Sequence, residues 1–270
     1  MKHNPNANTP DMMSRLYWNG RAAEYALPFE EENLARTNRI IGIAESKGLS
    51  IEGARILDIG SGPGTFALPL SLRGASVTAL DISDSMLRLL SEEAQRVGIE
   101  RVRTIRASWK EIDPVVVGLS GMFDTVLSAF SSAIETENEI LKMEQCSRRW
   151  CVYIASGRTR HDKLCKTIRQ GFGLPLNPRP DIRNTLKTLE QMDKVFWYES
   201  HPVTVQAKKT VAEIAEYVAR SLEEEGKTPD QPQILAAISA ASGISEQNGV
   251  IECKRHSNIG VLMWRVDERW

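Results

Sequence analysis

Several things that the chain lacks narrow the class of protein to which it can belong. Its 34 basic and 35 acidic residues leave a formal net charge of −1, so no global field draws it toward nucleic acid or an anionic membrane. It has no run of about 18 apolar residues, and its polar start, MKHNPNANTP, lacks the apolar core of a signal peptide. We therefore expect a cytoplasmic protein without membrane contact.

The cysteines also lack the spacing of a metal site. They are Cys146, Cys151, Cys165 and Cys253. They form no C-x-x-C pair and have no zinc-like spacing to the four histidines, which favours free thiols in a reducing compartment and no bound metal. At 270 residues with 41% hydrophobic content, the chain is long enough for one large core, with or without an inserted subdomain.

Short β-branched runs alternate with amphipathic stretches in the first half of the chain. Five strands are predicted, at residues 55–59, 76–80, 102–105, 123–127 and 151–155. Helices are predicted between them: residues 84–97 repeat apolar side chains at helical spacing, and Thr136 with Glu139 forms a capping box. Such alternation is typical of a parallel sheet covered by helices on both faces.

The end of the chain carries a different pattern. Residues 250–256 and 259–266 flank Ser257-Asn258, which favours a tight antiparallel hairpin on the sheet edge. We therefore predict an α/β fold: a doubly wound, mostly parallel sheet of seven strands with an antiparallel terminal hairpin and a helical cap insertion.

Two segments lie outside the strand and helix alternation. The first contains the aromatic run YWNGRAAEYA followed by a helical pattern, and the second contains an amphipathic helix over residues 210–225. The predicted parts are an N-terminal segment at 1–50, a Rossmann-like core at 51–156, a helical cap for substrate at 157–249 and a terminal hairpin at 250–270 that completes the core sheet.

The first predicted strand runs into three glycines at alternate positions, in ILDIGSGPGT. In an open α/β sheet, ligands bind outside the carboxyl ends of the strands, where glycine lets a ligand approach the backbone closely. A dinucleotide fold favours G-x-G-x-x-G, but the third glycine is replaced by Thr65. The spacing here is D-x-G-x-G-x-G from Asp58 to Gly64, and Asp81 closes the next strand 17 residues beyond Gly64.

This pattern resembles that of the class I S-adenosylmethionine-dependent methyltransferases, over about residues 15–156 and the terminal hairpin. The resemblance implies S-adenosylmethionine as cofactor and S-adenosylhomocysteine as product. It also implies that the loop passes under the amino acid tail of the donor and that Asp81 accepts hydrogen bonds from both ribose hydroxyls. The implied cofactor-binding residues are Tyr25, Asp58, Gly60, Ser61, Gly62, Gly64, Asp81, Ile82, Met86, Ser108, Trp109, Ser128 and Ala129.

The turn after the third strand departs from the family pattern. Relatives usually place an acid there that accepts from the adenine amino group, and Ala107-Ser108-Trp109 has none. The candidates for this hydrogen bond are Ser108 and Glu111. Trp109 either borders the adenine or is a core aromatic residue.

The N-terminal segment departs from the pattern as well. Asn19 stands where an acid often follows the tryptophan, so Tyr25 is preferred to Asn19 for contact with the tail carboxylate of the donor. Arg36 is a further candidate partner of that carboxylate, and a solvated helix face is the alternative.

The resemblance also suggests an acceptor side and an in-line displacement that needs no enzyme nucleophile. The substrate-binding candidates are Trp18, Phe130, Arg158 and Arg160. A general base is optional, and no catalytic residue is assigned. The candidates for it are His161, His201 and Tyr198.

Local charge bears on the acceptor. Residues 148–194 hold eleven basic and four acidic residues, a local net of +7, so an anionic small molecule is favoured. The run SAFSS after strand four is unlike the N-P-P-Y motif of amino-methyltransferases, and no RNA-binding module is recognisable, which disfavours nucleic acid. The alternatives are a tRNA or other RNA methyltransferase, a donor-binding regulator without catalysis and a nicotinamide-dependent oxidoreductase. The sequence does not indicate an oligomeric state.

Overall fold

The structure is a computed structural model that describes residues 10–157, 163–174, 182–224, 226–228 and 230–266. Its helices are α1 Pro10–Arg21, α2 Glu31–Ser46, α3 Ala67–Leu72, α4 Asp84–Arg96, α5 Glu137–Cys146, α6 Lys163–Gly171, α7 Ile182–Gln191, α8 Val211–Glu224 and α9 Gln231–Ser242, with a 3-10 helix at Ala22–Glu24. Its strands are β1 Arg55–Ile59, β2 Ser76–Asp81, β3 Val102–Arg106, β4 Phe123–Ala129, β5 Ser147–Ser156, β6 Phe196–Thr210 and β7 Val250–Arg265.

The strands form one sheet in the order β3-β2-β1-β4-β5-β7-β6. The first five pair in parallel, and β1 lies between β2 and β4. The strand order therefore reverses at β1 and β4, which is where open α/β sheets place their ligands. The doubly wound, mostly parallel fold that the sequence predicts is confirmed.

The antiparallel edge is also present, but its two strands differ from those predicted. Residues 250–265 form one continuous strand, and Ser257-Asn258 lies inside it. The amide of Gly157 donates to the Asn258 carbonyl and that of Val266 donates to the Arg149 carbonyl, so β7 runs antiparallel to β5. A Ser-Asn pair offers no glycine for the positive φ of a two-residue turn, and the chain stays extended because a neighbouring strand is available for pairing.

The antiparallel partner of β7 is β6, which lies within the stretch predicted as a helical cap. Two contacts fix the direction: Thr204 hydrogen-bonds to His256 at 3.0 Å, and Lys208 pairs with Glu252 at 3.7 Å. Residue numbers rise on one strand as they fall on the other. The helical prediction for 157–249 therefore missed a strand of 15 residues.

Local sequence signals explain where two helices of the core begin. The side chain of Ser83 accepts from the Met86 amide at 3.2 Å and so caps α4. The predicted capping box of α5 is confirmed, because Thr136 and Glu139 each satisfy the backbone amide of the other. The α4 cap matters for function, since Ser83 lies only two residues beyond Asp81, the last residue of β2.

The chain divides into two compact units. The first comprises residues 1–155, 182–199 and 260–270, and the second comprises 156–181 and 200–259. The core of the first unit packs helices against both faces of the sheet around buried residues such as Leu57, Val126, Tyr153 and Trp264. The predicted apolar face of α8 is confirmed in the core of the second unit. Its buried residues are Val211, Ile214, Ala215, Val218 and Leu222. Among the described helices, none is both long and apolar enough to cross a membrane.

Candidate functional site

The three glycines of the β1 loop differ in what surrounds them. Gly60, Gly62 and Gly64 all have positive φ, at 67°, 54° and 92°. A Cβ at Gly60 would collide with the Ser131 side chain, and one at Gly64 would come within 2.9 Å of Leu68 and Leu90 carbons. At Gly62 no atom would lie within 4 Å. The outer glycines therefore allow close packing of the loop, while the middle one leaves an open side for a ligand.

Asp81 joins this loop to the helix that follows β2. Its Oδ2 accepts from the Gly62 amide and its Oδ1 accepts from the Ser83 amide, both at 2.8 Å. Burial raises the pKa of Asp81, and the hydrogen bonds from backbone amides act in the opposite direction. Because each carboxylate oxygen has two lone pairs, both can accept a further hydrogen bond from a ligand hydroxyl.

Asp58, at the end of β1, is the second buried acid of the site. The carboxyl is 1% exposed, and burial together with the charge of Asp81 raises its pKa to about 7, against a hydrogen bond from the Ala67 amide. Its Oδ2 is buried without a hydrogen-bond partner among the described residues, and so is the hydroxyl of Ser61. Since a buried, unpaired polar atom is costly, both atoms indicate a polar ligand next to the loop.

The end of β4 forms the next side of the site. Ser128 is buried and donates to the Ile59 carbonyl at 3.1 Å, which ties β4 to β1 at the switch point. Phe130 follows with a φ of 53°, in the left-handed region that aromatic residues rarely adopt. Its ring is 38% exposed and lies 6.4 Å from that of Phe66. Backbone strain of this kind favours a functional role for the position.

Arg36 on α2 lies over the ring of Phe130, with its guanidinium carbon 5.8 Å from the ring centre. Its Nη2 donates to Oδ1 of Asn33, a buried residue whose own Nδ2 donates to the Leu27 carbonyl at 2.8 Å. Partial desolvation lowers the pKa of Arg36, and Glu32 opposes this shift. No described carboxylate forms an ion pair with Arg36, so it is a fixed cation with free donors.

The N-terminal aromatic residues cluster as the sequence suggests. The ring of Trp18 lies 4.9 Å from that of Tyr17 and 6.1 Å from that of Tyr25, in edge-to-face geometry. Tyr25 is 38% exposed. Its loop reaches the Phe130 region through Asn33, which donates to the Leu27 carbonyl. Asn33 thus connects the loop that follows Tyr25 to Arg36 on α2.

Asn19, which the sequence analysis set aside in favour of Tyr25, makes the main polar contact of α1. Its Oδ1 accepts from the Ser83 hydroxyl at 2.7 Å and from the Ser85 amide at 3.2 Å. On the same helix Arg15 donates through Nε to Asp84 at 2.8 Å. The four-residue spacing of Arg15 and Asn19, together with the N-cap signal in DISDSM, was the available sequence signal for this contact.

Other predicted cofactor contacts lie around these groups with differing exposure. Trp109 is 2% exposed and its Nε1 donates to the Glu139 carbonyl at 3.3 Å, a placement that favours core packing over contact with adenine. Met86 is buried, whereas Ile82, Ser108 and Ala129 are partly exposed. Of the two candidates for the adenine bond, Ser108 is therefore partly exposed, and Glu111 is exposed.

One of the acid-base candidates, Tyr198, lies away from this site. Tyr198 lies on β6, four strand positions from β1, which corresponds to about 19 Å. His201 belongs to the second unit. Arg158, Arg160 and His161 lie outside the described residues.

The buried thiols of the first unit do not supply a nucleophile either. Burial raises the pKa of Cys146 to about 12 and that of Cys151 well above its usual value. Both thiols are therefore protonated at neutral pH and lie in the core. Their role is packing.

Residues 56–150 match a family profile described as methyltransferase domain. This stretch contains the glycine loop, Asp81 and β4, so the part of the chain that forms the candidate site is similar to that family. The recognition of a class I methyltransferase domain from the loop spacing is thereby confirmed for this part of the chain.

Three relatives each match part of the chain. An uncharacterized protein of Haemophilus influenzae is 34% identical over 107 residues, 39% of this chain and 38% of its own. Ribosomal RNA small subunit methyltransferase G of Alkalilimnicola ehrlichii is 31% identical over 47% of this chain and 56% of its own. Ubiquinone biosynthesis O-methyltransferase of Azotobacter vinelandii is 28% identical over 40% of this chain and 43% of its own. The chain thus spans 38% to 56% of the length of these relatives.

Solved structures share the fold. Magnesium protoporphyrin IX methyltransferase of Synechocystis PCC 6803, with bound S-adenosylhomocysteine, superposes with a TM-score of 0.53 at 14% identity, over 94% of this chain and 99% of its own. This similarity supports the methyltransferase fold of the chain.

Proposed function

We propose that this protein transfers the methyl group of S-adenosylmethionine to a small-molecule acceptor. The observation that carries the proposal is the pair of buried acids beside the open side of Gly62. The residues fit the donor: its ammonium would supply the missing hydrogen bond and a countercharge to Asp58, and its ribose hydroxyls would use the spare lone pairs of Asp81.

The other donor contacts follow from position. Tyr25 and Arg36 are assigned to the tail carboxylate, because a fixed guanidinium with free donors suits that group. Ser108, partly exposed after β3, is assigned to the adenine. Ser128 and Ala129 at the end of β4 are assigned to the methionine portion.

Bound S-adenosylmethionine supplies a methyl group that is already activated by the neighbouring sulfonium. The chain therefore needs to align the reactants and exclude water, which can contribute roughly 7–11 kcal/mol of the barrier. Phe130 is suited to this task, because it is partly exposed and directly follows β4 at the carboxyl edge of the sheet, and the aromatic residues Trp18 and Tyr25 are proposed to act with it. No described residue is required as a nucleophile, and His161 remains a candidate base.

The acceptor is proposed to be a small molecule with an anionic group, which the basic residues that follow β5 in the sequence would attract. Phe130 and Trp18 are its proposed apolar contacts, and Arg158 and Arg160 its proposed ionic contacts. RNA is the second candidate, favoured by the similarity to ribosomal RNA small subunit methyltransferase G. A donor-binding regulator would share the donor site and lack turnover.

The deciding experiment gives the purified protein methyl-labelled donor together with either a small-molecule extract or total RNA. We expect a labelled product in the small-molecule fraction, heavier by one methylene unit than its precursor. An Asp81→Ala variant is the control and should give none. Label in RNA alone would replace the proposed acceptor class, and donor binding without any labelled product would favour a regulator.

A further inference from the structure

A chain of hydrogen bonds connects α1 to the glycine loop through Asp81. The Gly62 amide donates to Asp81 Oδ2, the Ser83 amide donates to Asp81 Oδ1, and the Ser83 hydroxyl donates to Asn19 Oδ1. Asn19 is 64 residues from Ser83 in sequence, so the last bond is a tertiary contact. The N-terminal segment is thus hydrogen-bonded to the residue that orients the Asp81 carboxylate.

Asn19 does more than add a second cap to α4. The Ser83 hydroxyl already satisfies the Met86 amide, while Asn19 takes the Ser85 amide and the remaining proton of Ser83. The rotamer of Ser83 is therefore held from both sides, by its own helix and by α1. A fixed Ser83 in turn fixes the amide that bonds to Asp81.

Charge explains why a neutral acceptor suits this position. Asp58 and Asp81 are buried with raised pKa values. Asp84 is next to Ser83 in the chain. Desolvation raises the pKa of Asp84, but the hydrogen bond and charge of Arg15 and the charge of Arg106 outweigh this effect, so the pKa is lowered. An amide oxygen at position 19 accepts two hydrogen bonds without a further negative charge.

We propose that Asn19 is a positioning residue for the donor ribose: it couples the docking of α1 to the orientation of Asp81, so that the aromatic N-terminal segment and the ribose site form together. This inference rests on the proposed function, because it assigns the donor ribose to Asp81. Asn19 itself does not touch the donor.

A double-mutant cycle tests this coupling. The variants are Asn19→Ala, Asp81→Asn and the double variant, and the measurement is calorimetric titration with S-adenosylhomocysteine. We expect Asn19→Ala to raise the dissociation constant about tenfold, which corresponds to the loss of one hydrogen bond. The double variant should bind no more weakly than Asp81→Asn alone. Additive effects of the two substitutions, or an unchanged affinity of Asn19→Ala, would overturn the inference.

Three further measurements separate positioning from general damage. Asn38→Ala is the matched control, because Asn38 also accepts a side-chain bond, from Arg73 at 3.0 Å, elsewhere in the same unit; its affinity should stay unchanged. Asn19→Asp keeps both accepted bonds but adds a negative charge next to Asp84, so it should recover only part of the affinity that Asn19→Ala loses. An adenosylhomocysteine analogue without ribose hydroxyls should bind Asn19→Ala and the wild type equally, and unequal binding would contradict the coupling.

If Asp81→Asn binds S-adenosylhomocysteine like the wild type, the proposed donor site itself is wrong.

Discussion

Asp58 and Asp81 are both buried, on the neighbouring strands β1 and β2, and the charge of Asp81 adds to burial in raising the pKa of Asp58 to about 7. Such a pair is unfavourable in the free protein, because two carboxylates repel each other and are poorly solvated. A cationic ligand relieves both costs. Donor binding and the protonation state of Asp58 are therefore coupled.

We expect donor affinity to depend on pH through Asp58. Its pKa of about 7 in the free protein means that below pH 7 a proton must leave before the ammonium of the donor can bind. The dissociation constant of S-adenosylhomocysteine should therefore rise as the pH falls from 8 to 6, approaching tenfold per unit below the pKa. Calorimetry in buffers of different ionisation enthalpy would measure the proton released. Asp58→Asn should remove the dependence, and Glu135→Gln, an exposed acid, should keep it.

The same carboxyl should make the ligand-free protein less stable at alkaline pH. Its pKa is raised from 3.8 to about 7, so between these values the folded state binds a proton that the unfolded state has lost. The stability contribution is therefore complete below pH 3.8 and disappears as the pH rises through 7. Asp58→Asn should be more stable than the wild type at pH 8 by on the order of 2–4 kcal/mol, with a smaller difference at pH 5. Urea unfolding at both pH values measures this, and an equal difference at both would contradict the raised pKa.

Substitutions at two glycines of the β1 loop, Gly60 and Gly62, should have different effects. Gly60→Ala should unfold the protein at a lower temperature, because its Cβ would collide with Ser131. A Cβ at Gly62 meets open space, so Gly62→Val should cost mainly the backbone strain of a positive φ, at least about 1–2 kcal/mol for this β-branched residue, while its side chain occupies the donor's place. Thermal unfolding and titration with S-adenosylhomocysteine, measured on both variants, test the difference. Tight donor binding by Gly62→Val would contradict the assignment of the open side.

Local patterns account for what the sequence could predict. Strands β1 to β4 lie within two residues of their predicted ends, because β-branched runs end there in turns. The acids and glycines of the proposed donor site stand out in the sequence, because their spacing is contained in two consecutive strands and the segment that joins them. The same reasoning gave the α5 capping box, which spans only Thr136 to Glu139.

Contacts between distant segments were not predictable in the same way. The bond between Asn19 and Ser83 joins residues that no periodicity relates. Trp109 could be assigned either to adenine or to the core, because an aromatic residue after a strand is compatible with both until its neighbours are known. The antiparallel strands β6 and β7 were misjudged for a related reason: their length depends on pairing with each other.

The last prediction concerns the tail carboxylate of the donor, which we assign to Arg36 with Tyr25. Arg36 is held by Asn33 and by the ring of Phe130, so its free N–H groups are already oriented. Arg36→Gln should weaken S-adenosylhomocysteine about tenfold or more, as expected for a charge-assisted hydrogen bond, and Tyr25→Phe should weaken it less.

The ligand 5′-methylthioadenosine, which lacks the amino acid tail, separates this role from damage to the site. Its affinity for Arg36→Gln should equal that for the wild type. Arg39→Gln, on the same helix, is the matched control and should bind both ligands normally. If Arg36→Gln weakens the two ligands equally, Arg36 supports the shape of the site and does not bind the carboxylate. If it weakens neither, Arg36 does not bind the donor and is available to an anionic acceptor. Acceptors of different charge would then be compared.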